Sequence, residues 1–278
     1  MAMVSLDNYI AASKQRVGWI KTGTARTTVA TIPFTLHEIS GNPGAGTLAG
    51  ASTATAILQT DAIAGYPLID FITGTSYLTK VEFGNSVACR IRLVDTITKS
   101  GPYSYAAGTT AISSSPDITT RCPDYAGGSS YGSRNEIWIQ ISTAFVTGTA
   151  WQVQVTYTNQ AGVTAKTSII SVAQAAAALT IGKLFQIGLA TGDTGVQKVQ
   201  SVIVTNGGTA MTAGAFDVLV VRNIWQGRVR INNDGDTHDL LKTGAPIIYN
   251  DSALSFWVQT DSTSSGVPEI MFELANNG

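Results

Sequence analysis

The chain has 278 residues, 44% hydrophobic and only 13% charged, with 17 Lys and Arg against 18 Asp and Glu and a net charge of −1. That is about half the charge usual for a soluble domain, and without a Lys/Arg cluster it excludes a protein that depends on nucleic-acid phosphates, which would need a basic face. Two cysteines and two histidines exclude a disulfide framework and a Cys/His zinc centre, and low charge beside abundant Thr, Ser, Ala and Gly predicts an exterior largely covered by partner subunits.

The N-terminus shows no secretory signal and no stretch reaches the length of a bilayer span, so a product made in the cytoplasm is expected. A first helix is predicted with Ser5 or Asp7 as its cap. Leu6, Ile10, Val17 and Ile20 fall near helical spacing, and Gly18 is its stop. Thr27 to Ile32 then reads as a strand followed by Phe34-Thr35-Leu36. The stretch Gly41 to Gly50 is too densely punctuated by Gly and Pro for regular structure and reads as a long, flexible contact loop. The rest is mostly alternating runs parted by turn residues, the pattern of an all-β sandwich: Tyr77 to Phe83, Ala88 to Val94, Glu136 to Ile141, Trp151 to Tyr157 and their later counterparts. Ala173 to Leu179, rich in alanine, reads either as a linker helix or as an apolar strand.

Those runs occur twice. Leu78 to Phe83, Cys89 to Val94, Glu136 to Gln140 and Val153 to Gly162 correspond to Val196 to Ser201, Phe216 to Val221, Ser255 to Gln259 and Glu269 to Gly278. Three of the four offsets agree closely, 198 − 80 = 118 for the lysines, 257 − 138 = 119 for the tryptophans and 278 − 162 = 116 for the closing glycines, and the second run is set wider at 216 − 89 = 127. A period of that length suits a whole small domain rather than a solenoid unit. The expected organisation is therefore residues 1–50 as an N-terminal helix, strand and contact loop, 51–165 as a first β-sandwich and 166–278 as a second, related to the first.

Motifs that could carry chemistry are few. Gly128-Ser129-Ser130-Tyr131-Gly132 matches the form of a nucleophile elbow, but a polar loop enters it and no helix leaves it, and His238 lies in the other copy. The Gly-rich stretch after His37 lacks the Gly-Lys-Ser/Thr ending of a phosphate loop. Asn232 to Asp239 is dense in oxygen ligands, yet Thr237 and Thr243 stand where a calcium loop needs Gly and Glu, so a tight Asn-Asp-Gly turn is expected. Arg228 and Arg230 share one face of a strand and would pair with carboxylates of a neighbour or of their own domain. Cys89 and Cys122 lie in the first copy, and Cys89 alternates with Arg90 as a small buried apolar residue. Trp138 and Trp257 are expected as core or sheet-face aromatics. No catalytic residue, cofactor or metal is expected.

Four segments carry a resemblance: Ile32 to Leu36 running into Gly41 to Gly50, Lys80 to Phe83, and Gly227 to Asp236. In these the chain resembles virion structural proteins of tailed bacteriophages, most of all capsid decoration (cement) proteins. The resemblance implies a non-enzymatic subunit with jelly-roll-like β-sandwich modules on the capsid exterior. Its implied partners are the major capsid protein and copies of itself, with a trimer at lattice threefold positions as one natural arrangement, and neither nucleic acid nor membrane. The N-terminal helix and the Gly41 to Gly50 loop are the expected contacts, so deleting residues 1 to 50 should abolish capsid binding and leave both sandwiches folded. A tail or shell subunit and a carbohydrate-binding receptor module are the alternatives.

Overall fold

The computed structural model describes residues 5–21, 28–71, 73–122 and 131–278. The chain is all-β, 52% strand and 5% helix, as the alternating runs predict. A helix α1 (Leu6–Ala11) leads into β1 (Ser13–Lys21), β2 (Phe34–Thr35), β3 (Gly41–Asn42), β4 (Ser52–Leu58), β5 (Thr75–Asn85) and β6 (Cys89–Ser104). Then come β7 (Gly108–Ala111), β8 (Asn135–Val146), β9 (Trp151–Asn159), β10 (Lys166–Thr167), β11 (Leu184–Ile187) and β12 (Val196–Asn206). The series ends with β13 (Ala213–Val229), β14 (Asp234–His238), α2 (Leu240–Thr243), β15 (Ile247–Ile248), β16 (Leu254–Thr260) and β17 (Glu269–Asn277).

Two compact units form, and neither is a continuous piece of chain. One takes residues 1–47, 60–95 and 224–278; the other takes 48–59 and 96–223. The expected boundaries at 50/51 and 165/166 are therefore not the boundaries of these units, and both fall inside the second. The chain changes unit four times, twice in mid-strand: within β6 after Asp95 and within β13 after Asn223.

In the first unit one sheet runs β14-β5-β17-β1-β3 with β15 also on β5, and the facing strands are β2, β16 and the adjoining parts of β6 and β13. Residues of both layers meet in one core: Trp19 lies 5.4 Å from Phe256, and Phe256 lies 5.7 Å from Phe272. The second unit has β10-β9-β12-β7 as one sheet. Its other layer holds β11, β8, β4 and the remaining parts of β13 and β6. Its core centres on Trp151, 4.8 Å from Phe145 and 4.9 Å from Phe216. Strict alternation puts these residues inside, as in β9, where Trp151, Val153, Val155 and Tyr157 are all buried and the residues between them less so.

The strand pairing crosses between the two sets of matched runs. Strand β5 pairs with β17 and β12 with β9, while β6 pairs with β16 and β13 with β8. Corresponding runs thus pair alike, and for β6 with β16 and β13 with β8 the register agrees as well: Trp257 faces Arg92 as Trp138 faces Leu219, with 219 − 92 = 127 matching 216 − 89 = 127 for the aligned starts of the two runs. Each unit thus joins the opening strands of one copy to the closing strands of the other. We read this as a strand exchange within one chain.

Several local expectations change. The first helix stops at Ala11, capped by Ser5, whose Oγ accepts from the Asn8 N–H at 3.1 Å. Val17 and Ile20 belong instead to β1, which pairs along its length with β17. A period of two wins there because it sends Trp19 into the core, a residue that helical spacing of the aliphatic positions passes over. Residues 28–32 are not a strand: Ile32 N–H closes a turn on Val29 O, Thr31 has φ 69°, and Thr28 and Thr31 donate their N–H groups to Thr263 and Thr260. The Ala173 to Leu179 run makes only a 3-10 turn at Ala176–Ala178, with Gln174 exchanging backbone hydrogen bonds with Trp151. Deleting residues 1 to 50 would remove β1 from the interior of a sheet, so that deletion is expected to unfold the first unit rather than spare it.

Candidate functional site

The loop expected to be a flexible contact is pinned. Lys21, only 3% exposed, donates from Nζ to the carbonyls of Pro43, Gly44 and Ile39 at 2.7, 2.9 and 3.2 Å. Burial lowers its pKa to about 8, opposed by the Glu38 carboxylate. Gly46 lies so close to the Ala64 carbonyl that an added Cβ would sit 1.7 Å from its oxygen. In the other unit, Ala49 is held at both backbone groups by the buried Gln59 side chain, at 2.9 and 3.0 Å. The many glycines permit close approach here rather than freedom. Lys21→Met is expected to destabilise the first unit by about 2–4 kcal/mol, because it strips a charged donor from three carbonyls; urea denaturation followed by tryptophan fluorescence measures this.

The other sequence candidates are structural or lie elsewhere. Ser130, with residues 128 and 129, lies outside the described residues. Asn232 Oδ1 accepts from the Ala88 N–H at 2.9 Å, and Asp236 takes the Thr237 N–H, Lys242 and His238 at 2.7, 3.6 and 3.4 Å. Those oxygens do not converge, and among the described residues no His, Cys, Asp and Glu group is arranged to hold a metal. The turn expected there sits at Asn232-Asn233, and Asp234 and Gly235 already pair with β5. Cys89 and Cys122 are buried and form no disulfide, and burial raises the Cys89 thiol pKa. Trp138 and Trp257 are buried but belong to neither core cluster, on sheet faces as expected. Arg228 and Arg230 are exposed and share a cleft with Arg90 and Arg92.

The most unusual surface is the edge of the β10-β9-β12-β7 sheet. Past β10 the chain stays beside β9: Ser168 N–H donates to Val155 O, and Ser171 N–H donates to Val153 O, each at 2.9 Å. Both serine hydroxyls turn inward and accept from β9, Ser168 Oγ from Val155 N–H at 3.0 Å and Ser171 Oγ from Val153 N–H at 2.8 Å. Gln154 and Gln152 add side-chain donors to the carbonyls of Ser168 and Ser171. With the serines facing in, Ile169, Ile170 and Val172 face out, 59%, 44% and 78% exposed. From Ser168 to Val172 the edge is thus hydrogen-bonded and apolar, with Lys166 of β10 the charge beside it. Its signature in the sequence is Ser168-Ile169-Ile170-Ser171-Val172, which becomes meaningful only once the serines are known to bind β9.

No protein-family model matches the chain, and no curated protein matches it. Among solved structures it is similar to the infectious bursal disease virus VP2 subviral particle, at 11% identity, covering 99% of this chain and 83% of that one, with a TM-score of 0.19. It is also similar to the infectious bursal disease virus Gx strain structure, at 12% identity over 95% and 80% of the two chains and the same TM-score of 0.19. At that level of superposition neither likeness decides fold or function.

Proposed function

We propose that this chain is a non-enzymatic virion structural protein, acting as a capsid decoration subunit that bridges neighbouring capsomers and contacts copies of itself. The observation that supports it is the hydrogen-bonded apolar edge at Ile169, Ile170 and Val172 on a protein with little surface charge. Fully covering one such side chain stabilises by about 1.5–3 kcal/mol. Three together are a modest anchor, which many copies on a symmetric lattice multiply through avidity. Leu6 and Ile10 on α1, 67% and 64% exposed, offer a second contact in the first unit.

The test is occupancy on particles. Ile169→Asp with Val172→Asp is expected to leave the free chain folded and to reduce its copies per particle at least tenfold. Removing residues 1–12 alone should leave the first unit folded and lower occupancy less. Unchanged occupancy in the Asp variant rules out this edge as the contact. Saturable binding on a glycan array, with few copies per particle, would favour a receptor module instead.

A further inference from the structure

The first unit holds a second surface feature that capsid bridging does not require. Arg90 and Arg92 of β6, Arg228 of β13 and Arg230 just beyond it line one cleft of about 380 Å³, together with Gln226, Asp236 and His238. Alternation builds it: Ile91, Leu93 and Val229 enter the core, so the arginines between and beside them leave on the other face. Four of the chain's 17 basic side chains meet here. Against them the cleft has one carboxylate, Asp236, which is already engaged by Lys242 at 3.6 Å and His238 at 3.4 Å. Among the described residues Arg90, Arg228 and Arg230 make no ion pair.

His238 is fixed beside them. Trp225 Nε1–H donates to its Nδ1 at 3.0 Å, which puts the imidazole proton on Nε2. Its ring is held edge-on to Phe83 and Trp225, each with centroids 5.2 Å away. Neighbouring like charges on a sheet destabilise it, and a chain this poor in charge gains nothing in solubility from four arginines in one place. Guanidinium groups in a cleft match oxyanions two contacts at a time.

We propose that this cleft binds a small, multiply charged oxyanion, held chiefly by Arg90, Arg228 and Arg230. The ligand is a free solute of the pyrophosphate or polycarboxylate kind, and the site is independent of whether the chain sits on a particle.

Calorimetric titration of the free chain at low salt with pyrophosphate, and separately with citrate, tests this. Saturable one-to-one binding to at least one of them is expected, weakening steeply as sodium chloride is added. Arg90→Gln with Arg228→Gln should weaken it at least tenfold without lowering the thermal midpoint, since both side chains are exposed and their removal relieves like-charge repulsion. Arg228→Lys, which keeps the charge and loses the fork, should fall between. Preference for pyrophosphate assigns a phosphate ligand, and preference for citrate a carboxylate one. Absence of saturable binding by both probes, or binding that the double Gln variant leaves intact, overturns the proposal.

Discussion

Residues 166–278 produced alone are expected to remain unfolded, and so are residues 51–165. The sequence repeat makes each look like a complete sandwich, but the pairing leaves both without partners. In the later fragment β12 and β13 lack β9 and β8, while β16 and β17 lack β6 and β5. Phe256 and Phe272 would lose Trp19 and Leu78 across the core, and Phe216 would lose Trp151 and Tyr103. Losses of that size exceed the roughly 5–15 kcal/mol that holds a typical domain together. Circular dichroism and amide exchange on each fragment, then on the mixed pair, are the measurement. Disordered fragments that gain the strand structure of the second unit on mixing are expected, since both lack β1 of the first. A cooperative thermal transition in either fragment alone would show that the copies fold as tandem domains.

Acid is expected to weaken the first unit through one histidine. His37 is 3% exposed and packs against the Tyr66 ring, tilted at 44° with centroids 4.4 Å apart, and neither ring nitrogen has a hydrogen-bond partner. Burial, helped by the Lys21 charge, lowers its pKa from 6.5 to about 4. The folded state thus holds the ring neutral while the unfolded chain takes a proton below 6.5. Stability from this group is complete above pH 6.5, falls as the pH drops toward 4 and levels off below. The total is about 3 kcal/mol. In the second unit Asp217 acts in the opposite sense: burial raises its carboxyl to about 6 against the attraction of Lys99, so that unit gains stability between pH 6 and 3.8. The clean readout is the difference between wild type and His37→Leu in urea midpoints from pH 7 to pH 4. It should shrink or reverse by about 3 kcal/mol. A constant difference across that range would assign the acid sensitivity elsewhere.

Alternation made most of the fold legible in advance. The eight repeated runs are strands β5, β6, β8, β9, β12, β13, β16 and β17, because each sends every second side chain into a core. Which strands pair was not legible, since tandem and exchanged copies share one alternating pattern and differ only in long-range partners. The same limit hid the arginine cleft: Arg90-Ile91-Arg92 and Arg228-Val229-Arg230 are 138 positions apart, 228 − 90 = 138, until the sheet brings them together. The Gly41 to Gly50 loop misled for a different reason. Glycine marks both freedom and tight packing, and only the buried Lys21 amine decides between them.

The proposed role is tested most directly by three-dimensional reconstruction of particles assembled with and without this chain. Added density of both units at every equivalent lattice position on the head exterior, with the Ile169 to Val172 edge against a neighbouring subunit, is the predicted result. Particles that carry no such density on the head, or carry it only at the tail, would contradict a decoration subunit.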